Sequence, residues 1–210
     1  MTSSPPESPE VSRRDRKRRA THDQIRVGAL ELFTERGFGD VTVADLCERA
    51  GVAQSTFFRH FATKEDVVFD QIAQRFAELP AAMAVQPVDV SPLDFILGTF
   101  DEFMAGRRTL ALLATEAHLV FSAPSLQDRL QRILVEIEPA MADEIARRLP
   151  FERNSLEVAL LAAQLGVGTR VAIQLWSTQD PDVDVVDYGI LMVRAWAAQA
   201  DALIAAHQLA

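Results

Sequence analysis

Across 210 residues the chain is 49% hydrophobic and 24% charged, the balance of a globular protein with a sizeable core and not of a disordered or fibrous one. Its one cysteine, Cys47, excludes an intrachain disulfide and a cysteine-built zinc site and fits a reducing compartment. The net charge of −9 argues against nucleic acid only on average: residues 11–64 carry 11 basic and 7 acidic side chains, whereas residues 76–210 carry 9 and 18, so a basic head precedes an acidic body.

Met1 to Glu10 is rich in Ser, Pro and Glu, buries nothing, and shows no charged-then-apolar leader, so secretion is not expected. Arg13, Arg14, Arg16, Lys17, Arg18 and Arg19 follow as a basic run. Residues 1–20 are therefore expected to be a disordered basic arm, either a solvated tail or a segment lying on DNA phosphates or in the minor groove.

Helix starts then punctuate the chain. A capping residue with an acid or amide three positions on satisfies two open backbone N–H groups at a helix N-terminus. Thr21/Gln24, Thr42/Asp45, Thr63/Asp66, Ser125/Asp128 and Asn154/Glu157 fit that pattern, and Ser91-Pro92 with Asp94 adds a cap with a first-turn proline. Apolar residues between these marks repeat with a helical period, as in Ile25, Ala29, Leu32 and Phe33. Strand-like alternation is absent, so the fold class is all-α with about nine helices: a three-helix head over 21–66 and a larger helical body over 67–210. The spacing predicts helices near 22–36, 43–50, 54–61, 64–79, 92–105, 109–121, 126–149, 155–178 and 186–207, with 80–90 as a loop. Pro139 should kink or break the seventh.

The stretch from Thr42 to Lys64 carries the sharpest signal. A short helix ends at Ala50, Gly51 can take the left-handed conformation that stops it, and a second short helix follows from Gln54. Two such helices across a tight glycine turn make a helix-turn-helix, whose second helix enters the major groove. Phe57 and Phe61 are four apart and can face inward, leaving Gln54, Ser55, Thr56, Arg59 and His60 toward solvent or DNA. Lys64 opposes the dipole of the next helix, which either a docked phosphate or pairing with Glu65 would offset.

These residues resemble the TetR family of regulators. The run Ala29-Leu30-Glu31-Leu32-Phe33-Thr34-Glu35-Arg36-Gly37-Phe38, the segment Thr42 to Val52 and the segment Thr56 to Glu65 match its pattern, densely over residues 21–70. Members of that family usually carry a tyrosine where Phe58 stands and place its hydroxyl on a phosphate; Phe58 is left with packing, or with an apolar contact to a sugar or a thymine methyl. The Phe-Phe-Arg-His-Phe version looks like an actinobacterial subgroup, some of whose members are associated with acyl-CoA-type ligands. The resemblance implies a cytoplasmic homodimer on double-stranded, pseudo-palindromic operator DNA that blocks transcription until a small molecule spreads its two heads. A ligand-independent regulator or an activator with the same head is the alternative. DNA contacts are expected from Thr42, Gln54, Ser55, Thr56, Phe58, Arg59, His60, Lys64, Arg18 and Arg19.

The body repeats no catalytic, cofactor or metal pattern, so neither an enzyme nor a cofactor is expected. Its aromatic-rich helices suit a small, largely apolar or acyl-type effector, with Phe76, Phe100, Phe103 and Phe121 as candidate walls. Glu116, His118, Gln164 and Arg170 are candidate orienting groups; an anionic ligand and a structural acid are equal candidates for the partner of Arg170. The stretch from Leu156 to Val171 is interrupted by Glu157, Gln164 and Arg170 and reads as too short and polar to span a bilayer. Small residues (Ala159, Ala162, Ala163, Gly166, Gly168, and Ala195, Ala198, Ala202) with Leu160, Val167, Val171, Leu191, Trp196, Leu203 and Ile204 mark the last two helices as the expected homodimer seam.

Overall fold

The computed structural model describes residues 13–104, 110–178 and 185–209, and only the backbone at 103–104, 110–114 and 185–186. Among the described residues there are nine α-helices and no strands: α1 (Arg13–Arg36), α2 (Val43–Ala50), α3 (Gln54–His60), α4 (Lys64–Ala84), α5 (Pro92–Met104), α6 (Leu110–Ser122), α7 (Pro124–Arg148), α8 (Leu156–Thr178) and α9 (Val185–Gln208). They form two compact units divided between Val68 and Phe69.

In the first unit α1 begins at Arg13, not near His22, so the basic run expected to be disordered is helical from Arg13 onward. Arginine, lysine and alanine are strong helix formers, Asp15 sits favourably in the first turn, and neither glycine nor proline interrupts the run. Thr21 is therefore not a cap; its hydroxyl donates to Lys17 O one turn back. Gly37, at φ 84°, ends α1 with its N–H on Phe33 O. Thr42 and Asp45 form the expected capping box at the start of α2, and Gly51, at φ 62°, closes its end. Gln24 Nε2 reaches from α1 to Ala50 O, 2.9 Å away, a side-chain cap on the C-terminus of α2. Ile25, Leu32, Phe33, Leu46, Phe57 and Phe61 fill the core beneath.

In the second unit Pro80 lies inside α4, which runs on to Ala84 through the first part of the expected loop. Pro139 likewise lies inside an unbroken α7. That helix starts at Pro124, the proline-favoured first position, so Ser125 is within it and not its cap. At α8 it is Ser155, not Asn154, whose hydroxyl receives an N–H, from Val158. The core joins Phe95, Met141, Ile145, Val158, Leu161 and Trp196, and Trp196 Nε1 donates to Leu161 O at 2.9 Å, tying α9 to α8.

Trp196 thus belongs to the interior of the subunit and not to an outer seam. The glycines assigned to that seam also serve the subunit's own packing. A Cβ on Gly168 would meet Met192 Cγ at 2.9 Å, and one on Gly166 would sit against Leu134. Both α8 and α9 are, by length and composition alone, long and apolar enough to cross a bilayer, because α8 continues past Val171 to Thr178. The same two helices contribute Val158, Leu161, Leu165, Val193 and Trp196 to the core.

Candidate nucleic-acid interface

Alpha-helix 3 is seven residues long and divides cleanly by face. Phe57 and Phe61 are sealed in the core, while Gln54, Ser55, Phe58 and Arg59 are exposed and Thr56 is half-buried. Its first residues follow Ala53, which offers no side-chain cap, so the helix is held by its buried aromatics and not by its end. Phe57 and Phe58 meet edge to face with centroids 5.5 Å apart, which fixes the exposed ring of Phe58 against a buried one. The outcome is a short, rigid helix presenting an amide, a hydroxyl, a guanidinium and one apolar ring.

The base beneath α3 is tied together by charge. Arg49 of α2 grips Glu35 of α1 with both guanidinium nitrogens (3.1 and 2.5 Å) and approaches Glu31 at 3.5 Å. The hydrogen bond from Arg49 holds the Glu35 carboxyl below its ordinary pKa. Gly28 lets the two helices close: a Cβ there would meet Arg49 Cγ at 3.1 Å.

Lys64 departs from both sequence readings. Its ammonium donates to Phe38 O at 2.8 Å and Val41 O at 2.9 Å and lies over the Phe38 ring at 4.4 Å. Two of its three donors therefore serve the loop between α1 and α2, and the dipole cost at the start of α4 is offset by carbonyls of the protein itself. Thr42 is exposed, with its hydroxyl engaged in the capping box through Asp45 N.

His60 is half-buried, a departure from the fully outward position expected of it. It turns toward α1, where its ring centroid lies 5.9 Å from that of His22, which in turn stacks on Phe61 at 4.6 Å. The Nε2 atom of His60 is buried with no hydrogen-bond partner among the described residues. Burial holds its pKa below the ordinary 6.5, and the charges of His22, Arg59 and Arg18 push the same way. A cavity of about 450 Å³ opens there among Asp15, Arg18, Arg19, His22 and His60. Arg18 and Arg19 thus stand beside α3 on a helical scaffold, a placement suited to the phosphate backbone of a duplex. His22 was not singled out from the sequence as a site residue; its i,i+4 spacing from Arg18 is the one signal that could have suggested it.

In the second unit the candidate effector residues differ in burial and in partners. Phe76 is buried, Phe121 is half-buried, and Phe100 is half-buried with its ring so close to the Gly189 backbone that a Cβ there would lie 2.4 Å from Phe100 Cζ. The side chain of Phe103 lies outside the described residues. Glu116 is buried and its carboxylate receives Arg75 Nη2 at 2.8 Å, a partner the sequence did not single out. His118 is exposed, on the opposite side of α6 from that interior carboxylate. Gln164 is half-buried, with its Oε1 buried and without a hydrogen-bond partner among the described residues. Arg170 donates to Gln174 Oε1 at 2.9 Å, one turn on along α8, and so has an amide where an acid or an anion was expected.

Comparison with known proteins adds three findings. Residues 25–70 match the pattern described as "Bacterial regulatory proteins, tetR family". The chain is 35% identical over 194 residues to the HTH-type transcriptional regulator TcmR of Streptomyces glaucescens, across 88% of this chain and 85% of that protein. In fold it is similar to Thermus thermophilus FadR, solved as a transcriptional repressor in complex with lauroyl-CoA (TM-score 0.57, 19% identity, 83% of this chain and 92% of that one), and to Bacillus subtilis FadR in complex with stearoyl-CoA (0.55, 19%, 85% and 98%).

Proposed function

This chain belongs to the tetR family of bacterial regulatory proteins and is a DNA-binding transcriptional regulator, and from that premise we propose that it is a cytoplasmic repressor: a homodimer that holds a two-fold-related operator and leaves it when a small, largely apolar molecule enters its second unit. The observation that carries the reading is the face of α3, where Gln54, Ser55 and Arg59 project from a helix anchored by Phe57 and Phe61. Amide and guanidinium groups are the side chains that pair in the major groove with adenine and guanine edges. The short Ser55 lets the helix approach, and Arg18 and Arg19 supply cations beside it.

One head makes too few contacts for specific affinity, so the heads act in pairs. An open apolar stripe on α8 supports pairing: Leu156, Leu160, Val167, Val171 and Leu175 are exposed and fall on one helix face, with Leu191 of α9 exposed as well. An effector of acyl type is favoured by the aromatic and aliphatic interior around Phe95 and Phe100, and by the acyl-CoA complexes of the two similar folds.

The test is a mobility-shift titration on the DNA upstream of the protein's own gene, against a shuffled duplex of equal length. Specific binding on the order of 10⁻⁸ M or tighter is expected. Adding lauroyl-CoA or stearoyl-CoA should then release the operator. Equal binding to both duplexes would overturn the regulator reading at its root. Operator affinity unmoved across the acyl-CoA pair and a panel of apolar drugs would mark a ligand-independent regulator or an activator instead.

A further inference from the structure

The exposed face of α3 contains one residue whose chemistry does not match its neighbours. Phe58 is 53% exposed, which leaves about half of an aromatic ring in water on a helix that otherwise shows polar groups. At helical spacing it falls between Gln54 and Ser55 around the circumference, with Arg59 next in chain, so it lies within the base-reading surface and not on its rim. Its edge-to-face contact with the fully buried Phe57 holds the ring in place and keeps it from folding back onto the core.

We propose that Phe58 is a specificity-determining residue that reads the 5-methyl group of a thymine in each operator half-site. This rests on the operator-binding reading above. The edges of adenine, guanine and cytosine in the major groove are donors and acceptors, and thymine alone adds an apolar group there. A phenyl ring pressed on any other base edge would strip water from polar atoms and return no hydrogen bond, which is unfavourable. Against a thymine methyl the same ring buries apolar surface on both sides. Selection is therefore two-sided: the methyl attracts, and every other edge is penalised. A sugar contact is the weaker assignment, because Phe58 shares its face with Gln54 and Ser55, while the basic groups beside α3, Arg18 and Arg19, are those suited to the backbone.

Deoxyuridine differs from thymidine only by that methyl group, so it isolates the contact. In the experiment each thymine of the bound duplex is replaced singly by deoxyuridine and affinity is read by fluorescence anisotropy with the full-length protein. Wild-type protein should lose roughly threefold to tenfold at one thymine per half-site, the scale expected for one buried methyl. Phe58→Ala removes the contact from both half-sites, so it should bind the thymine duplex more weakly by roughly tenfold to a hundredfold and be indifferent to uracil at that position. Arg59→Ala, an exposed change on the same helix, should weaken binding and yet keep the uracil penalty. Wild-type affinity unchanged at every thymine overturns the inference, as does a uracil penalty that survives in Phe58→Ala. In either case retained preference for the operator over shuffled DNA leaves the regulator reading standing; loss of that preference in the wild-type protein removes both.

Discussion

At the scale of single residues, Lys64 shows how a position can be found in the sequence and its employment still missed. A lysine at the start of a helix is electrostatically awkward, and that signal is local. Its remedy is not local: the accepting carbonyls, Phe38 O and Val41 O, stand 26 and 23 positions earlier. Charge-assisted bonds of this kind contribute about 1.5–3 kcal/mol each when buried, and two are lost in Lys64→Ala, but water screens them at the half-buried Lys64 and cuts their combined worth. We expect that variant to destabilise the first unit by about 2 kcal/mol in chemical denaturation, and to leave the salt dependence of operator binding unchanged. Unaltered stability together with a salt slope lower by about one would return Lys64 to a phosphate contact. His60 supplies a second residue-scale expectation. Its folded pKa is lowered chiefly by burial, so below about pH 6.5 the unfolded chain takes a proton that the folded one resists. Stability should therefore fall as pH drops from 7 through 6.5 toward the folded value, and His60→Gln should flatten that fall in a pH series of thermal melts. Identical slopes in variant and wild type would show that His60 does not titrate differently on folding.

At the scale of elements, the head was legible because its signals are short-range. The Thr42–Asp45 box, the Gly51 stop and the inward pair Phe57 and Phe61 each lie within one or two turns, and all stand as read. The body was legible in helix count and less so in helix ends, since a helix runs on where distant contacts take up its last open carbonyls. Arg148 is such a contact. From α7 its Nη2 donates to Met83 O, Ala84 O and Gln86 O, capping the end of α4 beyond Pro80, and its Nη1 pairs with Glu144 at 2.7 Å. The guanidinium also lies over the Phe95 ring at 4.8 Å, and the whole side chain is buried. Nothing in the sequence near Arg148 announces carbonyls more than sixty positions away. Removing one partner of a buried charge pair costs about 3–5 kcal/mol, because the remaining groups are left without compensation. Arg148→Met should thus lower the urea midpoint of the second unit sharply, although methionine fills much of the same volume. A midpoint shifted by less than a tenth of that expectation would mean that water satisfies these carbonyls equally well.

At the scale of the whole molecule, α8 and α9 leave large apolar side chains uncovered. The sequence marked these helices by their small residues, and that signal merged two different surfaces. Gly166, Gly168 and Trp196 serve packing inside the subunit, whereas Leu156, Leu160, Val167, Val171 and Leu175 form a separate, open stripe. Composition alone does not separate inner from outer faces when both are apolar, so small residues that pack inside the subunit and apolar residues that stay exposed carry the same signal in the sequence. The separation permits a clean test of the proposed homodimer. Val167 is 48% exposed in the single chain, so Val167→Glu should leave the subunit's own core intact. In a self-paired interface the same carboxylate enters twice and is stripped of water without a cation to meet it, which is strongly unfavourable. The variant should sediment as a monomer with an unchanged helical spectrum. Operator affinity should fall by on the order of a hundredfold or more, because the second head loses its tethered, effectively concentrated position. Binding that survives in a proven monomer would show that one head suffices, and a dimer that survives the glutamate would move the seam to a different face of the second unit.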